Sequence, residues 1–241
     1  MSGLSACRLF LAVLAFECVV SSAVWAQYDL DRDYEAPGDR FVSAGFVWRD
    51  FQPRTSNPSP DSVAIRYTHV MPMIGFRQGL VDLTFGYTGY TLHGRSLSSV
   101  FFGATVANEF PLAGRRSRTA ILIPVMISAD YTKAESPGGS REDFNVASVG
   151  LGAGIKLRYQ TRDLLFWVQA AEGFHFSSEG FRADNGFSAA TTGEAVLLIR
   201  QAPVLDGLAV GYRFRLQTWS LSESRLNYRS LSHGLFVGVL F

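Results

Sequence analysis

The sequence predicts an all-β fold: an antiparallel up-and-down transmembrane β-barrel of about ten strands, with eight or twelve as the neighbouring even counts. Three observations predict it. Hydrophobic residues make up 47% of the 241 residues and charged residues 18%, yet beyond residue 26 no apolar run approaches the roughly 18 residues a membrane helix requires. From Phe41 onward apolar side chains recur at every second position, the period of a strand with one apolar face. The chain also ends on such a strand, Ser230–Phe241. Leu231, His233, Leu235, Val237, Val239 and Phe241 share one of its faces; Ser232, Gly234, Phe236, Gly238 and Leu240 share the other. An apolar terminal strand is an aggregation hazard in water unless covered, whereas in a transmembrane barrel it is the closing strand.

Ahead of the strands lie two segments of different character. Arg8, the apolar run Leu9 to Val20 and the small-residue site Val24-Trp25-Ala26 have the order of a secretory signal peptide, with cleavage expected after Ala26 and Ala23 as the second position. Cys7 and Cys18 both fall in it, so the mature chain is expected to carry no disulfide and no cysteine metal site. Residues 27–40 are polar and acidic. Asp29, Asp31 and Asp33 have the spacing of a calcium loop, but Tyr34 stands where the loop needs glycine and Arg40 where it needs glutamate, which leaves a solvated periplasmic lead-in. The division is thus residues 1–26, 27–40 and a barrel over 41–241, with no motif that calls for a cofactor.

Ten strands follow in order. The first, Phe41 to Phe51, sets Val42, Ala44, Phe46 and Trp48 against Ser43, Gly45 and Arg49. The second runs from Val63 towards Phe76, opposing Ile65 and Tyr67 to Arg66 and Thr68; Pro72 lacks a ladder donor and predicts a bulge there. The third (Leu80 to Thr91), fourth (Ser99 to Phe110) and fifth (Thr119 to Tyr131) carry Asp82, Glu109 and Asp130 on their polar faces. The sixth, Phe144 to Gln160, opposes Val149, Leu151 and Ile155 to three glycines, Lys156 and Arg158. The seventh, Leu164 to Ser177, sets Phe166 and Val168 against Trp167, Gln169 and His175. The eighth, Phe187 to Arg200, carries Glu194 and Arg200; the ninth, from Leu208, alternates Val210, Tyr212 and Phe214 with Arg213 and Arg215. Connections after even strands are short, as at Arg77-Gln78-Gly79 and Thr161-Arg162-Asp163. Those after odd strands are mostly longer and more polar, although His93 to Ser98 is a short loop. Short periplasmic turns with longer outer loops are the asymmetry of outer-membrane barrels.

Energetics then decides which face is which. Arg or Lys on the lipid face costs about 2–4 kcal/mol at the midplane, so the charged parity is expected to line the lumen: Arg49, Arg66, Asp82, Glu109, Asp130, Lys156, Arg158, Glu194, Arg200, Arg213 and Arg215. A barrel of about this size is nearly filled by its interior side chains, which predicts an ion-pair network, with a narrow anion-preferring pore or an acidic-ligand site as the sharper reading. Glu172 alone falls on the lipid parity, and is expected either near the outer interface or turned by a bulge. Gly150, Gly152 and Gly154 share a strand face with no helix after them, so they are expected to make room for Trp167 or Trp219 and to bind no nucleotide. A net charge of +1 gives no sign of a nucleic-acid partner.

Two local resemblances accompany this reading. His175-Phe176-Ser177-Ser178-Glu179-Gly180, followed by Asn185 and Gly186, resembles the motif of outer-membrane lipid A deacylases, which would make His175 a base for the Ser177 hydroxyl. Ser178 replaces that family's asparagine, and Ala189 stands at its carboxylate position. The closing strand, with Gly234, Val237, Val239 and terminal Phe241, resembles the assembly signal of Gram-negative outer-membrane proteins. That likeness implies recognition by the barrel-assembly machinery and a membrane of phospholipid and lipopolysaccharide. The expectation is a non-enzymatic outer-membrane barrel in a structural, surface-binding or narrow-pore role. A lipid A-modifying hydrolase and a soluble periplasmic ligand-binding barrel are the alternatives.

Overall fold

The computed structural model describes residues 40–54, 64–114, 117–139, 143–179, 185–200, 207–222 and 227–241; the signal-peptide and lead-in expectations lie outside them. Ten strands alternate in direction: β1 (Arg40–Pro53), β2 (Tyr67–Gln78), β3 (Val81–Leu92), β4 (Arg95–Ala113), β5 (Thr119–Ala134), β6 (Phe144–Gln160), β7 (Leu164–Glu179), β8 (Asn185–Ile199), β9 (Leu208–Leu221) and β10 (Tyr228–Leu240). Each pairs antiparallel with its sequence neighbours, and β1 pairs with β10, so the sheet is a closed barrel. The closing ladder is unbroken from Phe41↔Leu240 to Pro53↔Tyr228. Strands of 12 to 19 residues exceed the roughly 9–11 needed to cross the hydrocarbon, so their ends project beyond it.

Alternation sorts the side chains as the period predicts. Along β1, Val42, Phe46 and Trp48 point out while Phe41, Ser43 and Arg49 are buried inside. Along β10, Leu235, Val237, Val239 and Phe241 point out, with Leu235 still 66% exposed. Leu151, Ile155, Phe166, Val168, Phe174, Val210 and Tyr212 continue the same apolar outer wall. In water this wall would drive association; in lipid it is the surface that solvates the barrel.

Two local expectations are corrected. β2 holds its register with β1 straight through Phe46↔Pro72, so no bulge forms there. Instead, the β2–β3 ladder runs only from Met73↔Gly86 to Gln78↔Val81. Pro72 offers no amide hydrogen, and pairing with β3 stops beside it; the Thr88 hydroxyl reaches the Val70 carbonyl at 3.1 Å in its place. The connection expected over His93 to Ser98 is a two-residue turn at His93-Gly94, with φ of 50° and 75°, the left-handed pair of a tight hairpin. A β4 bulge between Pro111 and Ala113 was carried by no sequence signal beyond the proline.

Glycine is required where strands approach most closely. A Cβ on Gly234 would lie 2.0 Å from the Phe46 carbonyl oxygen, and one on Gly150 would lie 2.1 Å from that of Phe174. The β6 glycines therefore make room for the β7 backbone and the His175 ring, not for Trp167 or Trp219. Because Gly234 sits in the ladder that closes the barrel, Gly234→Val is expected to cost about 3 kcal/mol or more by overpacking. It should abolish the compact, heat-modifiable band on an unboiled gel, while Pro72→Ala retains it.

Candidate functional site: the lumen

The bore is built in layers. At the outer end, inward residues of seven strands or their flanks form an apolar cap that includes Phe51, Ile65, Tyr67, Tyr90, Phe144, Trp219 and Tyr228. Phe51 lies on β1 and Phe144 on β6, opposite strands of the ring, yet their rings meet edge-on at 5.1 Å. The cap therefore spans the whole bore. Tyr67 stacks between Phe51 and Tyr90 at 5.4 and 4.4 Å, and its hydroxyl is 2.7 Å from that of Ser99. At the end where the sheet begins and finishes, Phe41, Leu165, Trp167, Leu198, Phe236 and Leu240 form a second apolar layer.

Between these layers the lining is polar and bonded across the bore. Asp82 accepts Arg77 Nε at 2.8 Å and Arg213 Nη2 at 2.7 Å. Glu194 accepts Arg77 Nη2 at 2.9 Å, Arg213 Nε at 2.8 Å and the Trp167 indole at 3.2 Å. Two guanidiniums and two carboxylates thus form a closed quartet on four strands. The Arg77 guanidinium also lies 5.4 Å from the centre of the Trp167 ring and 5.5 Å from that of Phe41, joining opposite strands β2 and β7. Lys156 pairs with Glu109 at 2.6 Å. Further out, Arg215 Nη2 and Gln217 Nε2 donate to Asp130 at 2.8 and 3.1 Å. Ser177 bonds Ser148 and Ser188 at 2.8 and 3.0 Å.

The lumen-lining residues expected from sequence separate into groups. Asp82, Glu109, Asp130, Lys156, Glu194, Arg213 and Arg215 meet in the pairs just described, and Arg49 is buried above them. Arg158 and Arg200 stand half-buried near the ends of β6 and β8, outside the quartet. Arg66 is a correction: it is exposed, while Ile65 and Tyr67 on either side turn into the outer cap. Arg66 lies at the level where the aromatic cap fills the lumen, and its charge turns out to the solvent side instead. Arg77, read from sequence as part of a turn, is the residue missed. Its signal was the parity of Met71, Met73 and Gly75, which carries one step further to place Arg77 inside.

Glu172 is corrected as well. It is exposed on the outer face of β7, counted nine residues into a 16-residue strand, and the ladders on both sides run without a bulge. It sits at mid-wall, accepting a 3.0 Å hydrogen bond from the Thr191 hydroxyl.

His175 and Ser177 share the lumenal face but do not bond each other. His175 Nε2 lies 2.8 Å from the Ser128 hydroxyl, and the Ser177 hydroxyl is engaged by serines on both neighbouring strands. Both are buried, at 2% and 0% exposure. At the outer mouth, partial burial pushes the Glu135 carboxyl up, but Ser98 and Lys133 outweigh it and hold the group below the usual carboxylate range. Among the described residues, no cluster of His, Cys, Asp and Glu could hold a metal ion.

No protein-family model and no curated protein matches the chain. Among solved structures it is similar to the outer membrane protease OmpT from Escherichia coli, at 8% identity over 84% of this chain and 95% of that one, with a TM-score of 0.38. It is also similar to the Neisserial surface protein NspA, at 13% identity over 84% of this chain and 97% of that one, with a TM-score of 0.29. A third is Ail, the attachment invasion locus protein of Yersinia pestis, in complex with sucrose octasulfate, at 12% identity over 85% of this chain and 99% of that one, with a TM-score of 0.26. The chain's own closed, antiparallel, apolar-walled sheet is that of a transmembrane β-barrel.

The quartet generates a stability prediction. Removing one member of a buried charge network strands its partners and costs about 3–5 kcal/mol, so Glu194→Ala should lower equilibrium stability in urea by that amount. Thr191→Val, which removes one exposed hydrogen bond, should cost less than about 1 kcal/mol.

Proposed function

We propose that this chain is an integral outer-membrane barrel without catalytic activity, which acts as a structural or surface-binding protein and not as a channel. The observation that carries this reading is the closure of the bore at two levels. Phe51 meets Phe144 from the opposite wall, and Arg77 meets Trp167 from the opposite wall. At the second of these levels the quartet fixes four charged side chains to one another, which supports a bore closed to ions.

The apolar outer wall supports outer-membrane placement, reached by signal-peptide removal after Ala26 and insertion by the barrel-assembly machinery reading Gly234, Val237, Val239 and Phe241. Both ends of the barrel sequence lie together, with the Phe241 amide donating to the Arg40 carbonyl at 3.3 Å. The connections on that side are shorter on average, despite the long one after β8 and the two-residue turn at His93-Gly94 on the other side, which supports a periplasmic location for them and an outer location for the longer loops. The proposed partners are accordingly lipids and lipopolysaccharide along the wall and molecules that meet the outer loops. The orientation of His175 and Ser177 weighs against a lipid A hydrolase: both side chains face the lumen, and a lipid-cleaving site must open towards the membrane.

Refolded protein in planar bilayers tests the reading. A closed bore predicts insertion without discrete conductance steps. Reproducible unitary steps at neutral pH would contradict it and favour the narrow pore. Phe144→Ala together with Phe51→Ala, which opens the outer cap but leaves the quartet, should still give no steps.

A further inference from the structure

Midway along the bore, between the two apolar layers, lies a cavity of about 170 Å³. Arg49, Met71, Met126, Phe101 and Ser230 are among its walls, as are the quartet arginines and Arg215. Its charges do not balance. Arg77 and Arg213 are matched by Asp82 and Glu194, and Arg215 is matched by Asp130. Arg49 is left over. It is 4% exposed and has no carboxylate within salt-bridge distance among the described residues. Its Nε donates to the Ser230 hydroxyl at 3.0 Å and its Nη2 to that of Thr132 at 3.4 Å, while Nη1 has no partner. Phe51 and Phe101 flank the guanidinium, each with its ring centre 5.6 Å away.

A buried charge is stable only when paired or neutralised, and a guanidinium does not deprotonate. We propose that the cavity binds a small monocarboxylate with an apolar body, whose carboxylate takes Arg49 as its counterion. The stoichiometry selects a monoanion: one positive charge is uncompensated, and a dianion would leave an excess negative charge beside Asp82 and Glu194. Nη1, the guanidinium nitrogen left without a partner, is the donor that one carboxylate oxygen would take. The walls select the rest of the molecule, because Met71, Met73, Met126 and Phe101 offer thioether and ring surface that a bare inorganic anion would leave uncovered. The volume suits a single ring, since an engineered apolar cavity of about 150 Å³ accommodates benzene. Thr84, Thr105 and Thr192 supply hydroxyls for the second carboxylate oxygen or a bound water.

Benzoate is the probe, with benzyl alcohol as its uncharged counterpart of the same size and chloride as the bare anion. The whole protein is refolded in detergent with each compound present, and binding is read by saturation-transfer NMR and by the shift of the thermal unfolding midpoint. Wild-type protein is expected to bind benzoate saturably, and benzyl alcohol about tenfold or more weakly. Excess chloride should not displace the benzoate. Arg49→Gln should retain the heat-modifiable band and lose benzoate binding by the same factor. Absence of saturable benzoate binding, equal binding of the two ring compounds, displacement by chloride at comparable concentration, or unchanged binding by Arg49→Gln would each overturn the proposal. If Arg49→Gln does not refold, the wild-type comparison of the two ring compounds decides it. A barrel that binds benzoate yet conducts would refute the closed-bore reading and leave this one standing.

Discussion

Everything in this molecule depends on closing the sheet. A strand in hydrocarbon has no water to satisfy its amides and carbonyls, and each unsatisfied group costs several kcal/mol. Ten strands in an open sheet, with two free edges, would be excluded from lipid by that term alone. The β1–β10 ladder removes both edges, and Gly234 permits it by letting the Phe46 carbonyl approach where a Cβ would collide. Closure then imposes two faces on every strand, one turned to lipid and one to a bore only about ten strands around.

The bore inherits the residues that lipid will not accept. Inside the belt that means charge, and the charges are resolved pairwise, in the quartet of Arg77, Arg213, Asp82 and Glu194 and in the Arg215–Asp130 pair. Beyond the belt the requirement reverses, and the inward side chains become the aromatic cap around Phe51 and Phe144. Arg49 and Glu172, among the described residues, stand outside this scheme. Arg49 is inside without a counter-charge. Glu172 is outside at mid-wall with a threonine hydroxyl for company, a departure tolerable because a carboxylate costs less on the lipid face than Arg or Lys does.

Strand number, strand order, closure and facing were legible in the sequence because a period of two is a strong signal once repeated ten times. What was illegible involved local exceptions to that period or to its energetic reading. Arg66 was assigned to the lumen by charge alone, a rule that holds only at the depth of the lipid. Arg77 was assigned to a turn because arginine and glycine sit close together there, although the parity of its strand continued through it. Pro72 announced a disturbance, but not that it would end pairing with one neighbour and spare the other. The partners within the lumen were beyond sequence altogether. Nothing in residue spacing says that Arg77 on β2 will stack on Trp167 on β7, since that contact is fixed by the stagger of the whole barrel. His175 and Ser177 show the same limit, because each found its partner on another strand.

The sorting of side chains by the wall is the central claim, and native tryptophans report on it. Trp48 points into the lipid region, half exposed, whereas Trp167 is buried in the lumen with 1% exposure. The direct measurement is fluorescence quenching in vesicles of brominated phospholipid, comparing a chain whose only tryptophan is Trp48 with one whose only tryptophan is Trp167. The account predicts strong quenching of Trp48 and little of Trp167. Equal quenching of the two, or stronger quenching of Trp167, would contradict it.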